Sequence, residues 1–368
     1  MPADPPLTPG ALIGALARAT RGAPPTTRGG EFWTGTGRAA LLLALRGLGV
    51  GPGARVLLPA YLCESVVTPV LALGATPVFH PVNRGLMPCL DALEDALADG
   101  AAAVVLIHYF GLPGPIEDVI RLASERGTAV VEDCAHALFG QWRGQALGSF
   151  GDAAVYSPWK SLPMPDGGIL RLNRPGLVPP ADLSAPSPFW TVIRALYRAV
   201  GSTEQAVGWT PRLWLLRRSA VRHDMHARTS GAAVRLTAAS AISRAVFDAM
   251  DPARVVAHRR SSYERLLAAV RNLGWARPLF DELPVGVCPL GLPILAENRD
   301  ERRNELLRRG INVRTYWEEL PPQVEQERFA DAAWVRDRIL VLPTHQALSG
   351  PQVDWMVRQL QAMDARQG

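Results

Sequence analysis

Lysine is almost absent from this chain. Of its 39 basic residues, 38 are arginine and one, Lys160, is lysine. The skew, together with abundant Ala, Gly and Pro, is what a GC-rich coding bias produces, and such a bias removes lysine wherever any cation will serve. A guanidinium stays charged in proteins, whereas a lysine amine can lose its proton and attack a carbonyl. The survivor is therefore a candidate for chemistry that arginine cannot do; the alternative is a surface lysine left by chance. Cysteine is scarce too. Cys63, Cys89, Cys134 and Cys288 are scattered and form no Cys-x-x-Cys pair, which argues against a zinc site or a disulfide framework and suits the reducing cytoplasm. No stretch approaches the roughly 20 apolar residues of a membrane span. The start, Met1-Pro2-Ala3-Asp4-Pro5-Pro6, lacks the basic-then-apolar pattern of a secretion signal. No helix-turn-helix, zinc-finger or RNA-binding aromatic signature occurs, so the net charge of +5 predicts no nucleic-acid partner and at most a mild attraction for anionic substrates.

What is present is an ordinary globular composition, 48% hydrophobic and 20% charged over 368 residues, enough for two domains. Residues 1–30 read as an N-terminal helical arm, with Leu12, Ile13, Leu16 and Ala17 on one face. From residue 31, apolar strand-like runs (Arg55–Pro59, Thr76–Pro81, Ala103–His108, Ala129–Glu132, Ala153–Ser157, Gly168–Leu172) alternate with helix-like stretches (Gly37–Leu48, Cys63–Leu73, Leu90–Leu97, Pro115–Glu125). Strands apolar on both faces and separated by helices predict a mostly parallel sheet covered on both sides, an α/β fold. Ligands in such sheets gather at the carboxyl ends of the strands. Residues 31–234 form the large domain in this reading. Within it, 174–234 is a proline-broken, Trp- and Arg-rich helical insertion that packs locally or touches a membrane or partner. His223 and His226 there stand three apart, but with no third ligand they predict no metal. Residues 235–273 read as connecting helices (Ala238–Met250, Pro252–Leu273), and 274–368 as a small α+β domain. That domain has strands at Val285–Pro293, Ile311–Tyr316 and Ile339–Pro343, and helices at Asp300–Arg309 and Gly350–Met363.

Three segments carry chemistry. Thr34-Gly35-Thr36-Gly37-Arg38 opens a helix with small residues, which leaves amide N–H groups free to hold a phosphate; the third glycine and acidic partner of the dinucleotide pattern are missing. Glu132-Asp133 ends an apolar strand at the ligand edge of the sheet, where a carboxylate serves a metal, a ribose, a protonated ring nitrogen or simply a helix N-terminus. Ser157-Pro158-Trp159-Lys160 leaves the next strand, so the only lysine also sits at a strand end. A phosphate cradle, a strand-end carboxylate and a strand-end lysine, in that order, are what pyridoxal phosphate (PLP) requires.

The order of short blocks resembles the DegT/DnrJ/EryC1/StrS family of PLP-dependent aminotransferases. The blocks include Thr36-Gly37-Arg38-Ala39-Ala40-Leu41, Leu58-Pro59-Ala60-Tyr61, Gly74-Ala75-Thr76-Pro77-Val78, His108-Tyr109-Phe110-Gly111, Glu132-Asp133 and Gly148-Ser149-Phe150-Gly151-Asp152-Ala153-Ala154. The resemblance implies the PLP-dependent transferase fold (type I). It implies that Lys160 is catalytic and holds the cofactor's aldehyde as a Schiff base. Asp133 would pair with the pyridine nitrogen, Gly37, Arg38 and Ser157 would hold the phosphate, and His136 would stand near the ring hydroxyl. Cys63 falls where the family has a bulky ring-stacking residue, with Tyr61 two residues earlier. Arg235, Arg314 and Tyr316 are the candidates for substrate contact. The implied partners are an amino-acid donor, glutamate first, and a carbonyl acceptor, a ketosugar or related natural-product ketone. They would be worked by ping-pong transamination in a homodimer with interface active sites. A PLP-dependent lyase, dehydratase or condensing enzyme, or a non-catalytic PLP-fold binding protein, are the alternatives.

Overall fold

The apolar runs assemble side by side. The computed structural model describes residues 1, 4–19, 27–28, 30–177, 183–196 and 234–364. Within them the strands are β1 (Thr27–Arg28), β2 (Glu31–Thr34), β3 (Arg55–Pro59), β4 (Thr76–His80), β5 (Ala103–Ile107), β6 (Ala129–Asp133), β7 (Gln141–Trp142), β8 (Gln145–Ala146), β9 (Ala153–Tyr156), β10 (Gly168–Leu172), β11 (Ala276–Pro278), β12 (Gly291–Ala296) and β13 (Ile339–Pro343). The main sheet has the order β1-β2-β10-β9-β6-β5-β3-β4. Strands β9, β6, β5, β3 and β4 run parallel, and β10, β2 and β1 add antiparallel pairings at one end. The central strands β5 and β6 are buried at every position, as a sheet covered on both faces demands. The expected mostly parallel α/β architecture is therefore present.

Helices α1 (Pro9–Ala19), α2 (Gly37–Gly47), α3 (Glu64–Ala72), α4 (Leu90–Ala98) and α5 (Ile116–Glu125) belong to the first half. Helix α2 lies inside the fold: Ala39 through Leu45 are all buried, so it is apolar all round rather than striped. Burying each of its leucines contributes about 2 kcal/mol. Helix α1 packs on α6 (Ala241–Asp248). Helices α7 (Pro252–Val270), α8 (Arg299–Arg308), α9 (Ala330–Arg336) and α10 (Gly350–Asp364) accompany the antiparallel sheet β11-β12-β13. This second lobe has its own core, in which Tyr263, Leu292, Ile294, Leu340 and Leu360 meet. A different face of it, through Leu320, Phe329 and Val335, joins the core of the large sheet.

Two strand expectations fail in the second lobe. Of Val285–Pro293, only Gly291–Pro293 is strand, and β12 continues to Ala296. Gly286 has φ +84°, and Pro284 and Pro289 interrupt the run. The carbonyls of Pro284 and Val287 accept from the Arg260 guanidinium instead of a neighbouring strand. Ile311–Tyr316 makes only an isolated bridge, Arg314 to Val341. Of the 174–234 insertion, residues 174–177, 183–196 and 234 are described, with helix at 188–196; Trp209, Trp214, His223 and His226 lie outside the described residues.

Glu132 pins the floor of the large lobe. It is fully buried. Its carboxylate accepts from the main-chain N–H groups of Gly148 (2.9 Å), Phe150 (2.7 Å) and Gly151 (2.7 Å), and from His108 Nε2 (3.0 Å). Burial pushes this carboxyl up, but the bonds from His108, Gly151 and Gly148 outweigh it, and the net shift is below the ordinary 4.5. A carboxyl depressed on folding contributes stability above its unfolded value, and loses it as pH falls through the folded value. Glu132→Gln strands at least two of the four donors, at roughly 3 kcal/mol or more. Urea unfolding across a pH series reads this as a gap between wild type and variant that is full above pH 4.5 and narrows below it. A gap that does not change with pH would contradict the assignment.

Candidate active site

Three chain segments converge at the carboxyl ends of the parallel strands. The first enters α2. Thr36 caps this helix, its Oγ1 accepting from Ala39 N–H at 3.1 Å and its carbonyl from Ala40 N–H at 3.1 Å. The first N–H groups of a helix have no partner within it, and here Gly35, Thr36, Gly37 and Arg38 line a cleft of about 640 Å³. The glycines are needed for close approach. A Cβ on Gly37 would stand 3.3 Å from Ser157 Oγ, and one on Gly168 would stand 2.3 Å from the Thr36 carbonyl. The start of α2, the end of β9 and the start of β10 thus meet at one point, with the Ser157 hydroxyl beside the helix N-terminus.

The second segment ends β6. Successive side chains of a strand face opposite ways, so Glu132 is turned to its four donors while Asp133 lines the cleft. Burial pushes the Asp133 carboxyl up; Lys160 and the Ala135 N–H, 2.9 Å from Oδ1, oppose this without reversing it. His136 follows after a turn. Its ring is buried, accepts the Phe110 N–H at Nδ1 (3.3 Å), and lies with Nε2 3.1 Å from Lys160 Nζ. Burial holds its proton affinity well below the ordinary value. His108, Glu132 and Cys134 also sit close together, but the Glu132 carboxylate is committed to four N–H groups.

The third segment carries Lys160 on the short helical turn Pro158–Lys160 after β9. Opposite stands a wall from the second lobe, with Arg314, Tyr316 and Trp317. The Trp317 ring lies within 8° of parallel to His136, centroids 5.7 Å apart, and the Tyr316 ring meets both edge-on. Arg314 pairs with Asp4 of the N-terminal segment. Arg259, 1% exposed, ties the second lobe to the lysine turn: it donates to the carbonyls of Ser161 (2.7 Å), Pro289 (3.0 Å) and Leu290 (3.0 Å), and to Gln346 Oε1 (3.0 Å).

Of the residues singled out from sequence, Gly37, Arg38, Cys63, Asp133, His136, Ser157, Lys160, Arg314 and Tyr316 line this one cleft. Two do not. Tyr61 is fully buried beneath the wall, where its hydroxyl donates to the Tyr316 carbonyl at 2.9 Å. Arg235 is exposed and lies outside the lining. Sequence reasoning passed over Trp317, Arg259 and Arg194, which lines the cleft from the helical stretch 188–196. Only the spacing of Trp317 beside Tyr316 pointed to any of them.

The family model of the DegT/DnrJ/EryC1/StrS aminotransferase family matches residues 33–361. A UDP-N-acetyl-3-dehydro-alpha-D-glucosamine 3-aminotransferase of Acidithiobacillus ferrooxidans is 39% identical over 139 residues, 37% of this chain and 38% of that protein. The match thus spans well under half of that relative. A dTDP-4-dehydro-2,3,6-trideoxy-D-glucose 4-aminotransferase of Saccharopolyspora spinosa is 28% identical over 86% of this chain and 80% of its own. Among solved structures, sugar aminotransferase CalS13 from Micromonospora echinospora superposes with a TM-score of 0.69 at 19% identity, over 98% of this chain and 99% of that one. A Streptococcus pneumoniae protein described as a sugar aminotransferase, in its PLP form, reaches 0.75 at 17% identity over 100% and 99%. These likenesses show the fold, and the match over residues 33–361 shows that the chain belongs to the DegT/DnrJ/EryC1/StrS aminotransferase family.

Proposed function

We propose that this protein is a PLP-dependent aminotransferase that moves an amino group from an amino-acid donor, glutamate first, to a ketosugar or related ketone. The observation that carries the reading is that the only lysine of the chain stands 3.1 Å from His136, in the cleft that Asp133 and the α2 N-terminus also line. The donor set fits pyridoxal 5'-phosphate. The first-turn amides of α2 at Gly37 and Arg38, with the Ser157 hydroxyl, would hold the phosphate. Asp133 would hold the ring nitrogen, His136 would face the ring hydroxyl, and Cys63 would lie on the ring's face. When bound, the cofactor supplies an aldehyde that takes up the amino group and a ring that draws electrons from the reacting carbon.

The chain's own residues do the rest. Lys160 holds and moves a proton at Nζ. Arg314 presents a planar fork suited to a carboxylate, and Tyr316 stands beside it. The dual specificity a ping-pong reaction needs is met by a cleft of about 640 Å³, wide enough for an amino acid and a sugar in turn. The names of the relatives, two of them nucleotide-linked sugar aminotransferases, support the ketosugar. A homodimer in the cytoplasm belongs to the same reading. Among the described residues no helix is long and apolar enough to cross a membrane.

The first experiment is the absorbance spectrum of the purified protein, before and after borohydride, with peptide mapping. The expected result is a yellow chromophore that bleaches and leaves pyridoxyl on Lys160, together with 2-oxoglutarate formed from glutamate. No chromophore even with added PLP would remove the reading. Lys160→Ala lowers transamination by at least about a thousandfold. Asp4 is an internal competitor for the donor carboxylate on Arg314. Its partly exposed ion pair is worth up to about 1 kcal/mol, so Asp4→Asn lowers KM for glutamate by about two- to fivefold. An unchanged or raised KM would show that Arg314 does not take the carboxylate.

A further inference from the structure

The hydrogens around His136 can be counted. The Phe110 main-chain N–H reaches Nδ1 at 3.3 Å, and Lys160 Nζ lies 3.1 Å from Nε2. A backbone amide can only donate, so Nδ1 carries its lone pair and no hydrogen. An imidazole cannot accept at both nitrogens without becoming an anion. With Nδ1 bare the ring is not an imidazolium, so its one hydrogen is on Nε2, directed at Lys160. An ammonium has three donors and nothing to accept with.

We propose that the Phe110 amide, acting through the His136 ring, holds Lys160 as an uncharged amine that accepts the Nε2–H. Phe110 and His136 are thereby positioning residues for the lysine. The inference deepens the reading of Lys160 as the reactive amine, but its geometry does not depend on the cofactor.

The backbone is arranged for this one bond. Phe110 adopts φ 56°, ψ 17°, a left-handed conformation costly for an aromatic residue. Gly111 follows at φ +95°, where a Cβ would stand 2.4 Å from the Cys288 carbonyl. The Phe110 carbonyl is held by Leu290 N–H at 2.8 Å. The turn can therefore neither relax nor rotate its amide away. The imidazole is packed against rings as well, with Phe110 at 27° and Trp317 at 8° to its plane. Around Lys160, the guanidinium groups of Arg259 and Arg314 favour an uncharged amine, and Asp133 favours the ammonium. Asp4 is engaged by Arg314, and Tyr316 and the buried His345 line the same space. An amine in this state adds to a carbonyl without first losing a proton.

A chain with one lysine makes the test clean, because amine acylation reports on Lys160 and otherwise only on the N-terminal amine. Cofactor-free protein is treated with dilute acetic anhydride across a pH series and the Lys160 peptide is quantified by mass spectrometry. At neutral pH, Lys160 is expected to react about tenfold or more faster in wild type than in His136→Phe, which keeps a ring but has no N–H; tenfold is the effect of one unit of proton affinity. His136→Gln, whose amide can donate, recovers most of the rate, which a merely structural role for His136 would not give. Nitrogen-15 spectra of the wild-type histidines show hydrogen on Nε2 and a bare Nδ1 at His136. Equal acylation in wild type and His136→Phe, or hydrogen on Nδ1, overturns the proposal. If the tautomer and labelling hold but no pyridoxyl adduct forms with PLP, the cofactor reading fails and this inference stands.

Discussion

Four N–H groups converge on one carboxylate inside the large lobe, and the site is built outward from that point. A buried charge is stable only when hydrogen bonds or an opposite charge replace its lost water. Glu132 meets this with three main-chain amides from residues 148–151 and the imidazole of His108. Each donor belongs to a connection that would otherwise be free to choose its path. His108 is itself fixed, its Nδ1 accepting from Gly114 N–H at 3.2 Å, so its single hydrogen goes to Glu132. The carboxylate thus decides where β6 ends and how the chain leaves β5. Strand alternation then gives the next residue the opposite job. Two adjacent acids are driven apart in proton affinity, Glu132 down by its bonds and Asp133 up by burial. One is spent on the fold and the other faces the cleft.

The second lobe closes the cleft through one cation and one cluster of rings. Arg259 reaches across to Ser161, the residue after the lysine, and holds Pro289 and Leu290 with the same guanidinium. Leu290 in turn holds the Phe110 carbonyl. The turn that aims an amide at His136 and the turn that carries Lys160 are therefore tied to the same arginine. Tyr61 and Tyr109 support the wall from beneath: Tyr109 donates to the Tyr61 carbonyl, and Tyr61 donates to that of Tyr316. Displacing either lobe would disturb the lysine's surroundings before it disturbed either core.

Much of this was legible in the sequence because the relevant signals are local. Period and length gave the βα units, since a strand buried on both faces has no polar alternation to confuse it. The three chemical segments stood at the ends of those strands, which is why Asp133, His136, Ser157 and Lys160 could be grouped. The misses have the opposite character. Tyr61 is suggested by the resemblance, two residues before the ring-stacking position, yet its hydroxyl is used for support. Val285–Pro293 has strand composition, but Arg260 and Arg259 take the carbonyls of Val287, Pro289 and Leu290 and remove the need for a partner strand there. Phe110 in a left-handed turn, Arg259 spanning two lobes and Trp317 stacked on His136 all depend on contacts between residues far apart in sequence, which no window can hold. Arg235 had only its charge to recommend it, and charge alone does not say which way a side chain faces.

The scarcity of lysine acquires a physical consequence in this setting. A guanidinium cannot lose its proton at working pH and does not add to an aldehyde; an uncharged amine does. With arginine at 38 of 39 basic positions, every other cation in and around the cleft can bind an anion without competing for a carbonyl. Arg38, Arg194 and Arg314 line the cleft beside Lys160, so in the proposed reading phosphate, carboxylate and carbonyl chemistry would be divided between two kinds of side chain. Lysines at those three places would have offered an aldehyde several amines at similar distances, and selection among them would have rested on small differences in proton affinity. Here the division is made by the functional group itself. In that reading the protein needs to adjust the protonation of only one residue, and His136 is in direct contact with it.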